Sequence, residues 1–134
     1  MTRERRLVDR YPEAVAWDES VTVIGPRFHL EGDVEAEGTV VVAGRVDGEI
    51  RSGRLVRILH GAVVRGPVHG RDVLVEGAVD GDVLADGQLE LGRTGRVRGD
   101  LSGERIAMAE GAYLRGRVIA RSGRIRRFRD RRED

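Results

Sequence analysis

The apolar positions of this chain form a repeat. The unit is apolar-x-Gly-x-apolar, and it occurs as Leu30-Glu31-Gly32-Asp33-Val34, Val46-Asp47-Gly48-Glu49-Ile50, Val64-Arg65-Gly66-Pro67-Val68, Val79-Asp80-Gly81-Asp82-Val83, Val97-Arg98-Gly99-Asp100-Leu101 and Leu114-Arg115-Gly116-Arg117-Val118. The central glycines are 16, 18, 15, 18 and 17 residues apart. Two residues past each copy stands a small side chain: Ala36, Ser52, Gly70, Ala85, Gly103 and Ala120. Between copies, apolar residues alternate at Val40/Val42, Val56/Ile58, Val73/Val75, Leu89/Leu91 and Ile106/Met108. Period-two alternation with a β-branched bias predicts strands. Val41 and Leu74 break the alternation and are expected on an outer face.

Two folds compete for this pattern. Asp47-Gly48 and Asp80-Gly81 carry hairpin-turn chemistry, which would make a meander of hairpins. The other copies have Arg or Glu before the glycine, and Pro67 follows one of them, so a two-residue hairpin fits them poorly. Near-constant spacing fits a solenoid better. A coil of about 17 residues accommodates three short strands, and coils stacked about 4.8 Å apart place equivalent residues in columns. The expectation is an all-β, single-stranded parallel β-helix of about six coils over residues 21–120. It would be a rod on the order of 30 Å tall. Residues 1–20 read as a tail, unstructured or partly helical: Leu7, Tyr11 and Val15 have helical spacing, and Pro12 interrupts it. Residues 121–134 read as a basic tail.

Composition agrees with a thin core. Hydrophobic residues are 40%, charged residues 35% and aromatics 4%, with 19 glycines, which suits stacked aliphatics with bends at the corners better than a helical bundle. The absence of Cys excludes disulfides, thiolate metal sites and cysteine nucleophiles. All 24 basic residues are Arg, so a Walker lysine and a Schiff base are excluded as well. No apolar run approaches the roughly 18 residues of a membrane span. Met1–Arg6 lacks the apolar stretch of a signal peptide, so the expected address is the cytoplasm. Residues 21–120 hold 13 Arg and 15 acids, whereas residues 121–134 hold 7 Arg and 3 acids. A nucleic-acid binder carries its basic stripe on the folded body, so nucleic acid is not an expected partner.

Little in the sequence points to catalysis. His29, His60 and His69 read as surface or corner residues, because enzymes on β-helices need histidines converging between chains and a strict six-residue period. Arg98-Gly99-Asp100 is one copy of the structural repeat. Gly92, Gly95 and Gly99 lack the following helix that a phosphate loop needs. Asp80 and Asp82 straddle a corner and read as solvated. No catalytic, cofactor-binding or metal-ligating residue is assigned, and no cofactor or small-molecule substrate is expected.

The repeated Val-x-Gly-x-Val coil, the Glu110-Gly111-Ala112 stretch before the last copy, and short polar tails flanking about 100 residues together resemble the bactofilins, bacterial polymer-forming cytoskeletal proteins. The resemblance covers residues 21–120. It implies a right-handed, triangular β-helix. It also implies filaments that assemble without nucleotide and serve as scaffolds for cell shape or polarity. Its implied partners are further copies of the chain, the cytoplasmic face of the inner membrane, and cell-wall or polarity proteins. Members that bind membrane tend to begin with an apolar stretch, whereas Thr2–Arg6 here is wholly polar.

Polymerisation also follows from physics. Each end of a solenoid is an edge strand over an open apolar core. The terminal coils here are as apolar as the middle ones, so the expected end surfaces are Phe28, Leu30 and Val34 on the first coil and Ile106, Met108, Tyr113, Leu114 and Val118 on the last. Contacts that do not close generate filaments. The C-terminal residues Arg121, Arg124, Ile125, Arg126, Arg127, Phe128 and Arg129 form a candidate segment for anionic lipid or a partner. Two other functions remain open: an enzyme subunit on a β-helix, such as a hexapeptide-type acyltransferase, and a capped monomeric adaptor.

Overall fold

The computed structural model describes residues 21–123 and 125–128. The first coil holds β1 (Val21–Ile24), β2 (His29–Glu31) and β3 (Val34–Ala36). The second holds β4 (Thr39–Val42), β5 (Arg45–Asp47) and β6 (Ile50–Ser52), and the third β7 (Leu55–Ile58), β8 (Val63–Arg65) and β9 (Val68–Gly70). The fourth holds β10 (Asp72–Val75), β11 (Ala78–Asp80) and β12 (Val83–Ala85), and the fifth β13 (Gln88–Leu91), β14 (Arg96–Arg98) and β15 (Leu101–Gly103). The sixth holds β16 (Arg105–Ala109), β17 (Tyr113–Arg115) and β18 (Val118–Ala120), and β19 (Ile125–Phe128) begins a seventh.

Every third strand joins the same sheet. Sheet A runs β1-β4-β7-β10-β13-β16-β19, sheet B runs from β2 to β17, and sheet C from β3 to β18. All pairings are parallel and connect successive coils, for example Val79 with Val64 and Val97. Hairpins are therefore excluded, and the chain is a three-faced β-solenoid.

The columns follow the repeat. Sheet A stacks Val40, Val56, Val73, Leu89 and Ile106 inward. Sheet B stacks Leu30, Val46, Val64, Val79, Val97 and Leu114. Sheet C stacks Val34, Ile50, Val68, Val83, Leu101 and Val118. In the middle coils these residues are buried and form one continuous core. Small residues line the corner after sheet C because the interior narrows there. A Cβ on Gly70 would lie 3.0 Å from the Val56 side chain and 3.3 Å from that of Val73.

The motif glycine turns the chain from sheet B to sheet C. Gly81 has φ +156° and Gly99 φ +150°, conformations that side chains rarely adopt. Each also sits directly over the carbonyl group of the motif glycine in the preceding coil, where a Cβ would collide. The next residue adds a second tie between coils. Carboxylates of Asp33, Asp82 and Asp100 accept hydrogen bonds from the backbone N–H groups of Glu49, Asp100 and Arg117, at 2.9, 2.9 and 3.0 Å. Above Glu49 the equivalent position is Pro67, which has no N–H to offer.

Two features differ from the sequence-based expectation. The solenoid does not stop at residue 120. After a longer corner, Ile125 pairs with Ile106 and Phe128 with Ala109, so part of the expected basic tail is a strand. The outer face of sheet A is also buried well beyond the two apolar positions that break the alternation. Val41 and Leu74 stand outward as expected, but they are buried, together with Thr39, Leu55, Asp72, Gln88, Glu90 and Ala107.

Candidate assembly interface

The two ends of the solenoid carry the candidate site. At the lower end β1, β2 and β3 have a neighbour on one side only, and at the upper end the same holds for β19, β17 and β18. Each end is thus a triangle of edge strands around the end of the core.

The lower triangle is apolar. Phe28, on the corner between β1 and β2, is 69% exposed, and Leu30 is 38% exposed. Val23, paired with Val41, is exposed on the outer face of β1, and Val34 is half-buried against the core. Phe28 cannot retreat inward, because its carbonyl is held by the Arg45 N–H at 2.9 Å and its own N–H by the Gly25 carbonyl at 3.1 Å. Gly32 is the lowest of the stacked motif glycines, and a Cβ there would meet open space.

The upper triangle combines Leu114 and Val118, half-buried over the core, with exposed Tyr113 and Ile119. The Arg96 guanidinium lies 5.1 Å from the centre of the Tyr113 ring and holds it against sheet B. The β19 strand changes the third side. Ile106 is 1% exposed beneath Ile125, and Met108 lies beneath Arg127, so Ile125 rather than Ile106 forms the apolar rim. Nothing in the repeat announced this, since Ile125-Arg126-Arg127-Phe128 lacks the motif glycine.

The remaining sequence-derived candidates lie elsewhere. Arg121 is held to the body: its guanidinium donates to the carbonyls of Ala85 and Asp86 at 3.0 and 2.8 Å and lies 3.5 Å from Glu104. Ile125, Arg126 and Arg127 are exposed on β19, and Phe128 is half-buried. Arg124 and Arg129 lie outside the described residues, as do Trp17 and the rest of the N-terminal segment. His60 is exposed on a corner, and His29 and His69 bond across coils to Asp47 and Asp86 at 2.7 and 3.1 Å.

His29, Glu31 and Asp47 bring an imidazole and two carboxylates within 4.8 Å of one another at the surface. The His29 imidazole and the Arg45 guanidinium hold the Asp47 carboxyl below its ordinary range. Arg117 does the same for Asp100, and its own guanidinium is pushed up in return. Each pairing is accounted for as a tie within or between coils, and no element walls the groups off from water.

The described residues form a three-faced β-solenoid whose end strands are paired on one side only. Comparison with known proteins carries the class further. The family model for bactofilins, described as polymer-forming cytoskeletal, matches residues 22–119. Bactofilin BacP of Myxococcus xanthus (strain DK1622) is 35% identical over 97 residues, covering 72% of this chain and 40% of BacP. Bactofilin BacO of the same organism is 31% identical over 97 residues, covering 72% of this chain and 77% of BacO. The chain belongs to the bactofilin family. It spans well under half the length of BacP. No solved structure matches it. Among the described residues no helix is long and apolar enough to cross a membrane.

Proposed function

We propose that this chain is a non-enzymatic cytoskeletal scaffold of the cytoplasm that stacks end to end into filaments without nucleotide and positions cell-envelope or cell-shape machinery. The observation that carries the reading is the pair of open triangles. Phe28, Leu30, Val34, Tyr113, Leu114 and Val118 all sit at ends whose strands have a free edge. Coaxial stacking would continue the aliphatic columns and the strand pairing at once. A side chain such as Phe28, already part-covered, gains about 1–2 kcal/mol on full burial. Several of these, with a new strand ladder on three sides, can offset the cost of association. The empty space below Gly32 is where every other motif glycine meets a preceding coil, so a stacked molecule would take the place of that coil.

Scaffolding of envelope machinery at the membrane's cytoplasmic face is the client role that family membership suggests, with exposed Arg126 and Arg127 as the candidate contact. A second reading, a monomeric adaptor, has one observation in its favour: β19 closes one side of the upper end with Arg127 over Met108. Negative-stain electron microscopy of the purified chain without nucleotide separates the two. The scaffold gives filaments. A monomer at every accessible concentration contradicts it.

A further inference from the structure

The charges on the outer face of sheet B follow an order that the other faces lack. The middle residue of each sheet B strand points inward, so the residues on either side of it form two outward columns. One column reads Glu31, Asp47, Arg65, Asp80, Arg98 and Arg115 from the lower end to the upper. All are exposed except Asp47, which is half-buried. Inverting the column end for end inverts every sign: Glu31 changes places with Arg115, Asp47 with Arg98, and Arg65 with Asp80. On sheet C the same inversion sets Glu35 against Ile119, Arg51 against Ser102 and His69 against Leu84, with no pair of opposite charges. Much of the outer face of sheet A is buried. Among the described residues, Arg65, Asp80, Arg98 and Arg115 make no ion pair within the chain.

We propose that a second copy of this chain docks face to face on sheet B with its solenoid axis reversed, so that filaments associate side by side through antiparallel chains. The proposal rests on the end-to-end reading for its strength, not for its geometry. A two-fold axis lying across the solenoid between β8 and β11 keeps the strand direction and reverses the coil order, so each outward column faces its own inverted copy. Glu31 then meets the partner's Arg115, Asp47 the partner's Arg98, and Arg65 the partner's Asp80, each twice. The second outward column reads His29, Arg45, Val63, Ala78, Arg96 and Tyr113. Its half-buried Val63 and Ala78 meet at the axis, which gives the contact an apolar centre within a charged rim. A cleft of about 270 Å³ opens there between Arg65 and Arg98 and gives side chains of the copy room to enter. The one like-charged meeting, Arg45 with Arg96, is eased because Arg45 lies 3.5 Å from Asp47 and Arg96 stacks on Tyr113. Turning the copy about the solenoid axis instead sets Arg98 against Arg96. It also leaves Arg65, Asp80 and Arg115 opposite uncharged side chains, so the antiparallel arrangement is favoured. Exposed ion pairs are individually weak, and two lone chains associate weakly through them. A filament repeats the contact in every subunit, and multivalency makes the pairing of filaments firm.

Electron microscopy of the full chain reads the pairing directly. Filaments should lie side by side at about 0.05 M salt and separate into single filaments at about 0.5 M. Arg65→Asp sets like charges together twice beside the two-fold axis, and should cut the paired length at least about fivefold at low salt while filaments still form. Adding Asp80→Arg restores opposite charges and should restore the pairs. Arg51→Asp makes the same charge change on sheet C and should leave them intact. Pairs that survive Arg65→Asp, that Asp80→Arg fails to restore, or that Arg51→Asp abolishes equally overturn the proposal. Single filaments from the unaltered chain at low salt overturn it too, and leave the end-to-end reading standing. Should no filament form, that reading fails by itself, and cross-linking decides the lateral contact. The chain has no Cys, so a concentrated mixture of Val63→Cys and Ala78→Cys chains should form more disulfide dimer under mild oxidation than Arg51→Cys chains do. An equal or smaller yield overturns the proposal.

Discussion

Gly81 and Gly32 occupy the same place in the repeat, and the structure predicts different costs for the same substitution. Both have backbones in the region that favours glycine, with φ of +156° and +134°. Alanine at either position therefore carries about 1–3 kcal/mol of conformational strain. At Gly32 that is the whole cost, because the new methyl meets open space. At Gly81 the methyl would lie 2.5 Å from the carbonyl carbon of Gly66 and 3.1 Å from the nitrogen of Pro67. A comfortable carbon–carbon contact is about 3.5–4.0 Å, so the two coils must part by on the order of 1 Å at this corner. The flanking hydrogen bonds, Gly66 N–H to the Asp80 carbonyl and Val68 N–H to the Asp82 carbonyl, are both 2.9 Å and would be stretched out of range. At about 1 kcal/mol each, their loss makes Gly81→Ala roughly 2 kcal/mol worse than Gly32→Ala. Urea denaturation followed by circular dichroism, at a concentration where the chain is monomeric, measures the difference. Equal midpoints for the two variants would refute the stacked-glycine account of the corner.

Three further outcomes follow from the same geometry. Leu114→Arg puts a charge into the inward column at the upper end and should abolish filaments while the protein stays folded; filaments that persist move the interface elsewhere. Asp100→Asn removes the carboxylate charge and one of the two oxygens that accept hydrogen bonds from Arg117. Because the folded-state pKa of Asp100 lies below the ordinary 3.8, its contribution is present above about pH 4 and is lost as pH falls through the folded value. The variant should therefore lose stability at neutral pH and show a flatter decline in acid, and an unchanged pH profile contradicts the tie. If the C-terminal arginines contact anionic lipid, Arg127→Glu with Arg129→Glu should end flotation with anionic vesicles, and undiminished flotation removes that role.

The register of the solenoid was legible because it is fixed by the glycine. A turn from sheet B to sheet C needs a backbone that only glycine adopts easily, so the spacing of Gly32, Gly48, Gly66, Gly81, Gly99 and Gly116 is the spacing of the coils. The aliphatic columns follow from it. The carboxylate ties were visible but went unread: Asp33, Asp82 and Asp100 recur directly after the glycine, and Glu49 stands below Pro67, where no N–H needs an acceptor. The outer face of sheet A was obscured by composition. Asp72, Gln88 and Glu90 alternate with the core positions as solvated residues do, yet all three are buried. The β19 strand was missed for a related reason. It is defined by its pairing with β16, whereas its own sequence is mostly Arg.

The central claim is that the core columns of one molecule continue into the next. X-ray diffraction from aligned filaments tests it directly. Coaxial stacking sets every strand across the filament axis, so a reflection at about 4.8 Å should fall on the meridian. A reflection at that spacing on the equator, with strands running along the filament, would contradict end-to-end assembly.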